Sequence, residues 1–336
     1  MSVEVASGRA PGSVRFVVGC LLLAVASVAV GLVALANGTT WSSPAETLQG
    51  IVGAGDKGFV ISQWRLPRVL AALAFGAALG LSGAVFQNLT RNPLGSPDII
   101  GLEASAFLGT LLVLALWAGT SAQIAGGSVA AGLAGAAVIY MLSRSQGFSG
   151  LRLVVIGIAV NAMVTAVNQW LILRLELDVA IAATAWQAGS LNGIDWAELW
   201  LPLGAIGVFA AGLVVVSRTM HQAALGDDLA IATGVALGPH RLVLVFLGVG
   251  CTAVVTAAAG PISFVALAAP QIGRRVTGSA GVPLLPAALT GALVLVVSDL
   301  LAQTLTKPVP LPVGVVTTAV GGAYLIWLLM REVKRR

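Results

Sequence analysis

Residues Phe16 to Ala36 read FVVGCLLLAVASVAVGLVALA, a run without a charge or a proline. As an α-helix rising about 1.5 Å per residue it would be about 31 Å long, the thickness of a bilayer's hydrocarbon core. It is too long for the apolar core of an ordinary secretory signal, so a membrane span is expected here and not a signal peptide. Arg15 bounds the run on one side and Asn37 on the other. The rest of the chain repeats this composition. Of its 336 residues 58% are hydrophobic and only 9% charged, where a soluble domain carries about 25% charged residues. At roughly 30 residues for a span and its connection, the length fits about ten helices. A barrel is disfavoured because the apolar runs are long and lack period-two alternation. The expected fold class is therefore an all-α polytopic membrane protein, a single transmembrane domain over residues 1–336. Glycine is abundant at 41 residues, and small residues let membrane helices approach closely. Gly76/Gly80, Gly132/Gly135 and Gly321/Gly322 are read as packing sites.

Moving outward from the first span, a polar connection (37–62) contains a possible short helix after Pro44. The second span starts at Pro67 and ends near Gln87, where a polar, proline-punctuated stretch runs to Asp98. Further spans are expected over 102–118, 123–142 and 153–173. A mixed segment (174–195) precedes a sixth span that ends near Ser217. The loop 218–241 is the longest polar connection in the second half. A seventh span ends near Ala259, and a short eighth runs from Pro261 to Arg274. The ninth and tenth cover 284–302 and 312–330, before a basic tail at 331–336.

With the N-terminal tail (1–14) placed in the cytoplasm, thirteen of the eighteen lysines and arginines fall on the inner side. The outer group is Lys57, Arg65, Arg68, Arg174 and Lys307. Positive residues favour the cytoplasmic side, so both termini are expected there, in a multi-pass protein of the bacterial plasma membrane. The basic residues sit at span ends and give no indication of nucleic acid. Cys20 and Cys251 lie in apolar runs and read as small hydrophobes. His221 and His240 read as solvated loop residues, so no metal site is expected. No P-loop, zincin helix or nucleophile elbow is present, which disfavours both an ATPase and an embedded hydrolase. The acidic residues lie in loops or at span ends, with only Glu103 and Asp299 close to an apolar run. An ion-coupled carrier, which places ionisable groups at mid-membrane, would have almost none to work with.

Three stretches stand out. Arg65-Leu66-Pro67-Arg68 sets two cations around a helix-starting proline on the outer side, and either interfacial anchoring or an acidic partner fits it. Ser82 to Asp98 breaks a helix into irregular backbone, which near a membrane is tolerated against protein or a water-filled cavity; an ordinary turn fits equally. Leu225 to Val235 reads as a short inner helix with acids in its first turn and a glycine stop. On the span over 153–173, Asn161, Asn168 and Gln169 lie seven and eight residues apart, on one helical face. With Gln87 they could line a pathway, or they could bond between helices.

Taken in order, RLPR, GAALGLSGAVFQNLTRNPLGSPDIIG, LGDDLAIATGV, GPISFVALAAPQIGRRVTG, DLLAQTL and LPVGVVTTAVGGAYLIWLL resemble the FecCD/BtuC-type permeases of type II ABC importers, from about Arg65 to Leu329. SPDIIG, WQAGSLNG and DLLAQ are most similar to the FepG-type branch, which serves ferric enterobactin. The resemblance implies a BtuC-like fold of ten helices and a pathway shared by two permease subunits. It also implies two cytoplasmic ATPases that bind ATP and Mg, and an extracytoplasmic binding protein that delivers ferric siderophore. This chain would be no enzyme and would hold no cofactor itself. Leu225, Gly226, Asp227, Asp228, Ala230 and Gly234 match the segment that couples to the ATPase. Arg65 and Arg68 match arginines that meet glutamates of the binding protein. A third docking arginine is replaced here by Gln303, which implies weaker or asymmetric docking. Pro270-Gln271 and Pro310 also depart from the usual pattern, and a heterodimer with a different permease subunit is favoured over a homodimer. The same kind of machine carrying cobalamin or haem is the nearest alternative.

Overall fold

A computed structural model of the chain describes residues 14–38, 40–117, 120–144, 149–307 and 309–333. Nearly all of the expected N-terminal tail and positions 334–336 of the basic tail lie outside them. Among the described residues the chain is helical throughout, with thirteen α-helices and one π-helical turn. They are α1 (Val14–Ala36), α2 (Pro44–Ile51), α3 (Leu66–Thr90), α4 (Leu102–Trp117), α5 (Ser121–Arg144), α6 (Gly150–Ile172), α7 (Leu177–Gln187), α8 (Trp196–Ala224), α9 (Asp227–Ala232), α10 (Leu237–Ala259), α11 (Val265–Thr277), α12 (Leu284–Thr304) and α13 (Val313–Val333). The π-helical turn, Val60–Arg65, leads straight into α3.

Helix α3 is the axis of the molecule. It packs on α12, α10, α11, α8 and α1, and Ala71, Ala72, Phe75, Ala78 and Ala84 along it are completely buried. Glycine makes this possible. A Cβ at Gly76 would overlap the backbone of Gly291 on α12, one at Gly80 that of Ala287, and one at Gly83 that of Ala266 on α11. Without a hydrophobic drive between helices in lipid, such backbone-to-backbone contact supplies the packing. Gly135 meets Ser105 and Gly321 meets Phe264, but Gly132 has only ordinary contacts and Gly322 faces open space. The expected packing role therefore fails at Gly322, which lies on the other side of α13 from its neighbour. Around this centre α1, α5, α6 and α8 keep most of their apolar surface uncovered.

Among the described residues seven helical segments are long and apolar enough to cross a membrane: α1, Val60–Thr90, Ala122–Ser143 of α5, α6, α8, α10 and α12. The other crossings expected from the sequence fall to α4, α11 and α13. Helix α11 has 13 residues, about 20 Å, well short of a bilayer core. The chain before it, Gly260 to Phe264, enters as irregular backbone. The stretch 91–101 does the same ahead of α4. It climbs along α6, with Thr90 against Gly150, Ile100 against Gly157 and Gly101 against Asn161.

Two boundaries differ from expectation. The second span begins at Val60, not Pro67. Proline lacks the amide that a helix interior needs, and the chain widens into a π turn in which Leu66 N–H bonds Ile61 O. The loop 218–241 is mostly helix: α8 continues to Ala224, α9 follows, and α10 starts at Leu237 with Pro239 in its first turn. Proline costs nothing there, where amides lack intrahelical partners. The short helix after Pro44 is α2, closed by a capping box between Ser43 and Glu46.

Candidate functional site

The charged side chains gather at the two ends of the bundle. At one end the C-terminus of α1, the start of α3 and the end of α12 meet. Asp299 on α12 is 1% exposed and accepts from Arg68 on α3: Nη2 donates to Oδ1 at 2.8 Å and Nε to Oδ2 at 3.0 Å. Gln303, one turn further along α12, donates from Nε2 to Asp299 Oδ2 at 2.7 Å. Arg68 thus finds its acid inside its own chain, and Gln303 joins the same carboxylate. Both oxygens of Asp299 are satisfied, which a buried carboxylate requires. Arg65 has a different environment. Its Nη1 donates to Leu35 O at 2.9 Å, close to the Ser42 hydroxyl, and its guanidinium lies over Gly38. All of these partners are neutral. Lys307 reaches Asn37 Oδ1 at 2.9 Å, and Lys57 pairs with Glu46 at 3.1 Å. Hydrogen bonds from Ser43 N–H first, and then from Lys57, hold the Glu46 carboxyl below the usual carboxylate range.

At the opposite end α9 lies beside the ends of α3, α8 and α10. Gly226, at φ 131°, occupies backbone that only glycine adopts freely and turns the chain from α8 into α9. Gly234, at φ 86°, ends it. Asp227 bonds Arg91, the residue after α3, and Arg241 on α10. The Arg241 hydrogen bond first, and then the one from Arg91, hold the Asp227 carboxyl below its ordinary range. Ala230 is fully buried, whereas Leu225, Leu229 and Ile231 are 73%, 57% and 61% exposed. Asp228 stands exposed beside them. His240 is half-buried in the first turn of α10 and bonds Thr219 at 3.2 Å. It is therefore packed, where the sequence pointed to a solvated loop.

The middle of the bundle is more polar than the sequence implied. Gln87 is buried between α3 and α11. It donates to Leu267 O at 2.9 Å and accepts from Gln271 Nε2 at 2.5 Å. Asn168 is buried too, and bonds Ala104 O on α4 at 2.9 Å. Asn161 is half-buried against Gly101, and Gln169 is exposed. The four side chains proposed to line a pathway are thus not brought together: Gln87 and Asn168 bond between helices, one residue turns Gln169 about 100° away from Asn168, and Asn161 backs onto the 91–101 segment. Asp98 and Glu103, by contrast, meet the start of α11. Asp98 Oδ2 accepts the Phe264 amide at 3.1 Å, and Glu103 accepts from Ser263 at 3.0 Å. Nothing in the local sequence announces this junction, because it joins residues more than 150 positions apart. Among the described residues no group of three or more histidines, cysteines or carboxylates stands close enough to hold a metal ion.

Comparison with known proteins identifies the architecture. The ferric enterobactin transport system permease protein FepG of Escherichia coli is 43% identical over 96% of this chain and 98% of its own length. The Fe(3+)-citrate import system permease protein YfmE of Bacillus subtilis is 32% identical over 96% of this chain and 97% of its own. Among solved structures, an inward-facing conformation of an assigned metal-chelate type ABC transporter superposes with a TM-score of 0.80 at 25% identity. That alignment covers 93% of this chain and 98% of the other. Residues 21–331 match the description of the FecCD transport family, and the chain belongs to that family.

Proposed function

We propose that this chain is the membrane-spanning permease subunit of an ATP-driven importer for a ferric siderophore, of the catecholate class that includes ferric enterobactin. The observation that carries this reading is the 43% identity to FepG along almost the whole of both chains. The iron travels as cargo inside its chelate, with the protein meeting only the organic shell. The chain holds no cofactor of its own; two cytoplasmic ATPase subunits bind ATP and Mg. It spans the plasma membrane with both termini in the cytoplasm and pairs with a second, different permease subunit.

In this orientation the Arg65 end faces outward. Arg65, Arg68 and Gln303 meet the acidic surface of the siderophore-binding protein, and Arg65 is the freer cation because Arg68 already holds Asp299. The α9 end faces the cytoplasm. Leu229 and Ile231 are large apolar side chains on a short connecting helix, with Leu225 just ahead of it, and an exposed apolar patch flanked by a charge marks a protein contact. Leu225 to Gly234 is accordingly the segment that docks in the ATPase. Closure of the ATPases on ATP would displace α9 and open the pathway between the two permease subunits to each side in turn.

Uptake of radiolabelled ferric enterobactin in cells lacking this gene tests the substrate: the uptake is lost and plasmid-borne wild type restores it. Unchanged siderophore uptake with lost cobalamin or haem uptake would refute the assignment. Purification in mild detergent tests the energy source, since an ATPase must co-elute with the chain. Leu229→Arg should break that association, and transport by a preparation free of ATPase would indicate ion coupling.

A further inference from the structure

The two adjacent acids of α9 have different surroundings. Asp228 is exposed beside Leu229. Asp227, with its side chain 40% exposed, is held from two sides by arginines of the subunit. Arg241 Nη2, on the first turn of α10, donates to Asp227 Oδ2 at 2.7 Å. Arg91 Nη2 donates to the other carboxylate oxygen, and also to Ala223 O at the end of α8 at 3.0 Å. Arg91 is the residue that closes α3, in left-handed backbone at φ 50°. A non-glycine residue rarely adopts that conformation, and here it sends the side chain sideways toward α9. Around this node stand Asn88, Met220, His240 and Leu244.

From this arrangement we infer that Asp227 is a positioning residue that hands the movement of α9 to the membrane helices, through Arg91 to α3 and through Arg241 to α10. The inference rests on α9 being the ATPase contact and deepens that reading by dividing its acids. Asp228 and the apolar side chains face the ATPase, and Asp227 bonds the subunit's own arginines. The route is specific. Helices α3 and α10 are the two most deeply buried spans, packed on each other, and a displacement at their ends cannot be absorbed by lipid. Helix α3 is also continuous from Arg91 back to Arg68 and Arg65. One rigid element therefore joins the ATPase end to the end where the binding protein docks.

The experiment uses the whole importer, reconstituted in proteoliposomes with its ATPases and binding protein. Asp227→Asn keeps the shape of the side chain and removes its charge. The ATPases remain bound and basal hydrolysis persists, while siderophore transported per ATP falls about tenfold, within the range of known coupling energies. Arg91→Gln, which alters no residue of α9, gives the same uncoupling. The exchange Asp227→Arg with Arg241→Asp restores part of it, which a role confined to loop stability would not predict. Unchanged transport per ATP in both single variants overturns the inference, as does loss of ATPase association in Asp227→Asn, because Asp227 would then belong to the docking face. Failure of the underlying reading shows separately: Leu229→Arg would then leave the ATPases bound.

Discussion

Removing the Arg68 side chain while leaving Asp299 in place should be among the most damaging single changes outside the glycine contacts. Asp299 is buried at 1% exposure, and its carboxylate accepts from Arg68 Nη2 and Nε and from Gln303 Nε2. Arg68→Ala deletes two charge-assisted bonds and leaves one. At about 1.5–3 kcal/mol for each hydrogen bond to a charged group, the loss is roughly 3–6 kcal/mol. Breaking a buried ion pair by removing one partner independently costs about 3–5 kcal/mol. Most of that is the cost of an uncompensated charge, so removing the charge should recover most of it. The double variant Arg68→Gln with Asp299→Asn is accordingly expected within about 1–2 kcal/mol of wild type, as replacing both partners of a hydrogen bond is nearly neutral. Unfolding of the detergent-solubilised importer, followed by tryptophan fluorescence in a denaturant series, gives the three stabilities. An Arg68→Ala variant as stable as wild type would refute the argument. So would a double variant as unstable as the single one, since the damage would then not arise from the orphaned carboxylate.

Gly76→Leu drives a side chain into the backbone of Gly291 where α3 meets α12; beyond the usual overpacking cost of about 1–3 kcal/mol, we expect loss of membrane-inserted protein, read by immunoblot, while Gly322→Leu, in open space, accumulates normally. Glu46→Ala removes half of the α2 capping box and should cost about 1 kcal/mol or less, detectable as faster amide exchange confined to residues 43–51. The pH behaviour of the α9 node follows from the sign of one shift. The folded-state pKa of Asp227 is depressed, so its contribution is complete above the unfolded carboxylate value of about 3.9 and is lost only as pH falls through the lower folded value. Exchange protection of α9 should therefore be flat from pH 7 to about 5 and drop in stronger acid, and Asp227→Asn should abolish that drop.

The sequence revealed the solvent-facing outline of this protein better than its interior. Apolar runs such as Phe16 to Ala36 declare a span because lipid selects every residue in them. Charges at span ends declare the ends. Pro44 showed α2, and Asp227 to Gly234 showed α9, since helix-starting prolines and glycine stops are local signals. Pairings across the chain left no such mark. Nothing near Arg68 says that its acid is at position 299, and nothing near Asp98 says that it caps an amide at 264. Periodicity does put Asn161 and Asn168 on one helical face, and Gln169 about 100° off it. Periodicity cannot distinguish a face turned to a neighbouring helix from one turned to water, and Asn168 proved to bond α4. The short crossings were also hidden, because α11 owes its length to the irregular backbone before it, which is held by side chains from elsewhere.

The burial of α3 has a consequence for how the protein is made. Three of its polar side chains find their partners in later sequence: Ser82 with the carbonyl of Gly248, Gln87 with Leu267 and Gln271, Arg68 with Asp299. A ribosome delivers α3 to the membrane while all of these are still unsynthesised. The nascent helix must therefore wait beside the insertion machinery with a cation and an amide unsatisfied, and it can leave for the bilayer's interior only after residue 299 has emerged. Chains truncated before α12 should remain attached to that machinery or be degraded, which makes assembly of the centre the last event of biogenesis, although its central helix is among the first made.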